Sequence, residues 1–249
     1  MSPQVPSGGV SLLAVSQLTK RFGGVVANRD ISFEIQPGEL VGVIGPNGAG
    51  KSTLFDLITG FTRADTGVVR IDGRDATRLR PDQICDLGVG RTFQKLKPFH
   101  GMTALENVMI GAFRRTSDVA AARRTALEAL ERVGLADRAE AHARGLSTGQ
   151  RKRLELARAL ATGPRLLLLD EVTGGVDQGA IPGLVALVRD LHARGIALVV
   201  IEHNMRVIMD VAQRVLALQL GEVIADGTPA EIMRDHRVID AYLGEAWRV

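Results

Sequence analysis

With 249 residues, of which 45% are hydrophobic and 24% charged, the chain can bury a sizeable core and is neither fibrous nor disordered in composition. Its formal charge of +3 is spread over interspersed Lys, Arg, Asp and Glu, without the concentrated positive field of a nucleic-acid binder. The lone Cys85 excludes an intrachain disulfide, the opening residues lack the apolar run of a signal peptide, and no stretch approaches the roughly 20 apolar residues that span a bilayer, so a membrane role is expected to run through a partner protein.

Residues 1–10, with Pro3, Pro6, Gly8 and Gly9, read as a flexible start. Segments 12–18 and 31–35 read as short strands, the second ending at Pro37-Gly38. An apolar strand over 39–44 leads into a glycine-rich loop and a helix from Lys51 to about Thr59, and 68–71 is a further strand between turn residues. This opening is expected to be antiparallel in part. From about 102 to 161 the pattern turns helical and rich in Ala, Arg and Glu. From 166 onward the reading alternates: strand 166–169, helix 181–193, strand 197–201, helix 205–211, strand 215–218. Runs such as Leu166-Leu167-Leu168-Leu169 have no polar alternation, which predicts strands buried on both faces of a mostly parallel sheet between helices.

The loop Gly45-Pro46-Asn47-Gly48-Ala49-Gly50-Lys51-Ser52 fits the pattern G-x-x-x-x-G-K-[ST] between a strand and a helix. Glycines let the backbone wrap closely and turn its N–H groups inward, and the helix start adds partial positive charge at the same point. Lys51 is expected to reach the β and γ phosphates of a nucleoside triphosphate, Ser52 to ligate Mg²⁺, and Thr53 to reach the α phosphate. In an open parallel sheet, ligands lie beyond the carboxyl ends of the strands. Two further strands deliver polar groups there: 166–169 ends in Asp170-Glu171, and 197–201 in Glu202-His203. The chemistry assigns Asp170 to Mg²⁺, Glu171 to polarising the attacking water, and His203 to the γ phosphate and that water.

Leu146-Ser147-Thr148-Gly149-Gln150 closely resembles the LSGGQ signature of ATP-binding-cassette (ABC) proteins, and five motifs stand in that family's order from 12 to about 244. The resemblance implies a P-loop NTPase α/β core over 11–95 and 162–249, with an antiparallel β subdomain at its N-terminal end. It also implies an inserted α-helical subdomain over about 96–161. Phe22 resembles the aromatic that stacks on adenine, and Gln94 the glutamine that reaches Mg²⁺ and links core to helical subdomain. Asp177 resembles the acidic residue of the loop between subunits, and His203 the switch histidine. Ser147 is a natural N-cap for a helix running from Gln150 to Ala161. The family pattern implies that Ser147, Gly149 and Gln150 of one subunit close on ATP held by a second, identical or paralogous. Three departures stand out: Thr148 for a glycine, Val172 for a proline, which predicts a less fixed backbone after Glu171, and Phe22 for a tyrosine. Hydrolysis is expected to survive all three.

Within the family, Arg91-Thr92-Phe93-Gln94, Met102-Thr103-Ala104-Leu105-Glu106-Asn107-Val108, Ile201-Glu202-His203-Asn204-Met205 and the tail Ala241-Tyr242-Leu243-Gly244-Glu245-Ala246 look most like bacterial branched-chain amino acid importers. Urea or amide importers and lipopolysaccharide-export ATPases share these features. The resemblance implies permease partners in the membrane, a solute-binding protein engaged indirectly, and a place on the cytoplasmic face of the bacterial inner membrane. Residues 95–102 would help form the groove for a permease helix, with Phe99 and Met102 supplying apolar contacts. Soluble ABC ATPases of translation or repair fit less well, since there is room for one cassette and no coiled-coil heptads between Ser52 and Ser147.

Overall fold

In the computed structural model, which describes residues 10–94 and 97–246, the chain opens on a hairpin. Of the flexible start expected over 1–10, only Val10 is among the described residues. β1 (Leu13–Phe22) and β2 (Val25–Ile35) pair antiparallel. β3 (Leu40–Ile44), buried at every position, runs into the glycine-rich loop and α1 (Lys51–Ile58). β4 (Thr66–Ile71) returns beside β1 and carries β5 (Arg74–Asp75), giving a four-stranded antiparallel sheet in the order β2-β1-β4-β5. α2 (Pro81–Asp86) and the short β6 (Val89–Arg91) follow.

Three helices then pack on one another: α3 (Ala104–Ala112), α4 (Val119–Arg132) and α5 (Thr148–Ala161). α3 starts where Thr103 and Glu106 form a reciprocal capping box, which satisfies main-chain donors that no helix turn can reach. Small residues set the spacing: a Cβ on Gly111 would stand 2.3 Å from the Arg158 carbonyl, so α3 and α5 meet at the backbone. Ala122, Ala126, Ala129 and Leu130 form the buried stripe of α4 at helical spacing.

From β7 (Leu166–Asp170) onward, strands and helices alternate through α6 (Ile181–Ala193), β8 (Ala197–Ile201), α7 (Met205–Val211) and β9 (Arg214–Gln219). β10 (Glu222–Gly227), α8 (Pro229–Ile232) and α9 (His236–Ala246) close the described chain. The larger sheet has the order β10-β9-β3-β8-β7-β6, parallel throughout except for β10 at its edge. Leu167, Leu169, Leu198 and Val200 face one core with α6 and the three-helix group, while Leu166, Leu168, Val199 and Ile201 face another with α1 and the antiparallel sheet. Both faces are covered, which is why these strands read as unbroken apolar runs. Among the described residues no helix is long and apolar enough to cross a membrane.

The expected elements from 181 to 211 fall where the sequence pattern puts them. Others differ: β1 continues four residues past 18 to Phe22, and β2 starts at Val25 rather than 31. In both, the missed residues, 19–22 and 25–30, mix polar and apolar types without the alternation that marks a strand. β6 is three residues long with Gly90 at its centre, and α2, β10, α8 and α9 carry patterns too short or too mixed for periodicity to find.

Candidate active site

Loop 45–53 leaves β3 at Gly45, whose φ of 150° belongs to glycine; a Cβ there would sit 2.2 Å from the Leu218 carbonyl. Several loop carbonyls have donors of their own. Lys51 Nζ donates to the carbonyls of Gly45 at 2.6 Å and Pro46 at 2.9 Å, Gly221 N–H donates to Ala49 at 3.1 Å, and Asn28 Nδ2 to Gly50 at 3.2 Å. At the start of α1, Gly50 supplies no side-chain cap. Residues 47–53 line a cleft of about 630 Å³, with its floor at this uncapped helix start. Such a place favours anions, and its size suits a nucleotide.

The acidic residues enter from β7. Asp170 is buried; its main-chain N–H donates to Thr92 Oγ1 at 3.1 Å, and its Oδ2 lies 3.5 Å from Arg91 Nη2. Burial pushes its carboxyl above the usual range, and the Arg91 guanidinium pulls against that. Asp170 Oδ1 is buried with no hydrogen-bond partner, which is costly unless a cation or its bound water completes it. The oxygen donor set of Ser52, Gln94 and Asp170 is of the hard type that Mg²⁺ prefers.

Glu171 stands one residue further on with φ of 52°, a left-handed backbone that costs an L-residue roughly 1–2 kcal/mol. Its N–H donates to Ile201 at 2.9 Å, and its carbonyl accepts from Lys152 Nζ at 2.6 Å and Gly174 N–H at 3.2 Å. The side chain is shared: Gln94 Nε2 donates to Oε1 at 2.8 Å, and His203 Nε2 lies 2.8 Å from the same oxygen. Beyond it, Glu202 Oε1 accepts from Thr173 N–H at 2.7 Å and Oε2 from the Thr173 hydroxyl at 2.8 Å. These bonds, with Val172 buried between them, hold the turn that a proline was expected to fix.

Asn47, Gly48, Ala49, Gly50, Lys51, Ser52, Thr53, Gln94, Glu171 and His203 all line the cleft. Gly45 and Asp170 stand behind its wall. Phe22 is half exposed at the end of β1, with Lys20 Nζ 5.2 Å from its ring centre, and the cleft lining on that side is made by Gly24, Val25 and Leu220. Ser147, Gly149 and Gln150 lie at the start of α5 and Asp177 in the exposed turn after β7; none of them lines this cleft. The Ser147 hydroxyl accepts from Gln150 N–H at 3.3 Å, and Gln150 Oε1 from Ser147 N–H at 2.9 Å.

Several contributors are invisible to motif reading. Asn28 and Gly221 reach the loop from β2 and from the β9–β10 hairpin, and only the fold brings those segments together. Tyr242 Oη accepts from Gly45 N–H at 2.8 Å across 197 residues. Glu155 of α5 accepts from Phe93 N–H at 3.0 Å, tying the signature helix to the residue before Gln94. Lys152 and Glu155 are charged residues on the buried face of α5, so their residue types carry no signal of burial.

The ABC transporter family profile matches residues 28–174, and the profile described as branched-chain amino acid ATP-binding cassette transporter matches residues 222–247. The chain is 38% identical to the high-affinity branched-chain amino acid transport ATP-binding protein BraF of Pseudomonas aeruginosa, over 94% of this chain and 98% of that protein. It is 34% identical to the lipopolysaccharide export system ATP-binding protein LptB of Haemophilus influenzae, over 96% and 100%. Among solved structures, a nucleotide-free ATP-binding cassette from an ABC transporter superposes with TM-score 0.85 at 30% identity, over 93% of this chain and 98% of that one. The ADP conformation of an ATP-binding cassette of an ABC transporter does so at 0.85 and 31%, over 94% and 99%. With a phosphate-receiving loop after β3, paired acids at the end of β7 and relatives alike over nearly their whole length, the chain belongs to the ABC transporter family, as an ATP-binding and ATP-hydrolysing subunit.

Proposed function

We propose that this subunit powers import of branched-chain amino acids, or of closely related amino acids and amides, through a membrane permease. Two copies, identical or paralogous, hold two ATP molecules between them. In each, Lys51 and the loop 45–53 bind the triphosphate, and Phe22 packs on the adenine. Ser52, Gln94 and Asp170 hold Mg²⁺, which when bound screens the β and γ phosphate charges. Glu171 takes the proton of the water that attacks the γ phosphorus as the bond to the ADP oxygen breaks, and His203 holds that water and the γ phosphate. Ser147, Gly149 and Gln150 of the second copy cover the same phosphate, with Asp177 beside the join. The permease sits on residues 97–102 and places the subunit on the cytoplasmic face of the bacterial inner membrane, and the solute-binding protein acts from the other side.

The observation that carries the reading is the meeting of Gln94 and His203 on one oxygen of Glu171, at the edge of the cleft over the uncapped α1. The branched-chain assignment rests on the profile match at 222–247 and the relatives' names. Co-expression with candidate permeases tests it: a branched-chain permease should co-purify and stimulate turnover. A permease of another solute class doing so instead would move the subunit to that class.

A further inference from the structure

The C-terminal helix α9 lies far along the chain from every nucleotide motif, yet one of its side chains bonds to the first residue of the phosphate loop. Tyr242 Oη accepts from Gly45 N–H at 2.8 Å, while the Gly45 carbonyl, on the other side of the same residue, accepts from Lys51 Nζ at 2.6 Å. The Tyr242 side chain is half buried and packs against the core on the α6 side of the sheet. A side chain packed on the core therefore holds the loop at the point where it leaves β3. We infer that Tyr242 is a positioning residue for the phosphate loop, and that nucleotide binding and the docking of α9 are coupled through the Gly45 peptide. The inference rests on reading residues 45–53 as the nucleotide site.

Gly45 stands where only glycine fits: its φ is 150°, and any Cβ would come within 2.2 Å of the Leu218 carbonyl. Its N–H points away from the phosphate side and needs an acceptor; an unpaired buried donor is unfavourable. With the loop empty, a Gly45 N–H deprived of Tyr242 can swing toward water. With phosphates bound, the loop is held in one shape and that N–H is stranded. The cost of losing the hydroxyl therefore falls mainly on the bound state. Linkage then demands the reverse effect: whatever factor α9 contributes to nucleotide affinity, nucleotide returns to the stability of the α9 contact.

The test uses the full chain as wild type, Tyr242→Phe and Lys51→Ala, with MgADP as the probe. Tyr242→Phe keeps the ring and its packing and removes the acceptor. It should weaken MgADP binding about tenfold, the scale of one stranded donor. In wild type, MgADP should slow amide exchange over residues 236–246 by a similar factor; in Tyr242→Phe it should leave that exchange unchanged. A merely structural tyrosine would alter exchange of the helix equally with and without nucleotide. Tyr242→Phe binding MgADP within about twofold of wild type, or wild-type exchange over 236–246 that ignores nucleotide, overturns the inference. Lys51→Ala separates the two failures: if it too binds MgADP normally, the nucleotide-site reading is at fault, and if it loses binding while Tyr242→Phe does not, only the role of Tyr242 is lost.

Discussion

Lys152 Nζ stands 2.6 Å from the main-chain carbonyl of Glu171, a bond from the second turn of the signature helix to the backbone of the acid that faces the cleft. Lys152 is buried, and the contact helps keep Glu171 in its left-handed conformation. Lys152→Met should let that backbone relax and carry the carboxylate out of line. Steady-state ATPase assays should then show kcat lower by roughly 10–100-fold, with MgADP affinity changed by less than about threefold. Unchanged kcat would mean that Ile201 and Gly174 suffice to hold Glu171.

Glu171→Gln removes the proton acceptor and keeps the shape and the bond from Gln94. Turnover should fall by about 10²–10⁴, as expected for losing a general base, while ATP still binds. Size-exclusion chromatography in saturating Mg-ATP should show the variant as a dimer. A monomer under those conditions, or normal turnover, would remove Glu171 from the role of base.

Glu155 makes a pH prediction. Burial pushes its carboxyl up to about 6, against the bond from Phe93 N–H and the nearby Arg158 and Lys152, and Oε2 has no partner. The folded form thus holds its proton more tightly than the unfolded chain, so this residue makes stability fall as pH rises from about 4.5 to about 6 and stay low above that. Glu155→Gln keeps an acceptor for Phe93 and removes the charge. It should raise the unfolding free energy at pH 7.5 by up to about 2 kcal/mol and flatten the profile between pH 4.5 and 6, measured by chemical denaturation. A lower stability at pH 7.5 would show that the charged form is held by attraction to Arg158 and Lys152.

Phe99 is 47% exposed, with the Arg158 guanidinium 5.6 Å from its ring centre, and its main chain is pinned to the Asn107 side chain through Phe99 N–H at 2.8 Å and the Phe99 carbonyl at 3.1 Å. The ring itself is therefore offered outward on a fixed stem. Phe99→Asp should cut co-purification with the permease at least about tenfold and leave ATP binding intact. Equal complex yield would take Phe99 out of the interface.

Much of this was legible in the residues because the motifs are local. The phosphate loop is one continuous segment, and β7 and β8 announce themselves as apolar runs ending in Asp170-Glu171 and Glu202-His203. What stayed hidden depends on distance along the chain. Asn28, Gly221 and Tyr242 hold the loop from three separate elements, and nothing in their own neighbourhoods shows that they reach it. Val172 shows the same limit from the other side: the missing proline suggests a loose turn, but the restraint comes from Glu202, thirty residues on.

The reciprocal pair of Ser147 and Gln150 has a consequence for selectivity. Two amides at the start of α5, those of Ser147 and Gln150, are already bonded to its own side chains, so an anion that uses either must displace a bond worth about 1 kcal/mol. A weakly charged visitor such as chloride gains too little to force the exchange, whereas a polyanion presented at the right height gains several charge-assisted bonds at once. The cap would then work as a threshold, leaving this helix end less responsive to simple salts than to a polyanion.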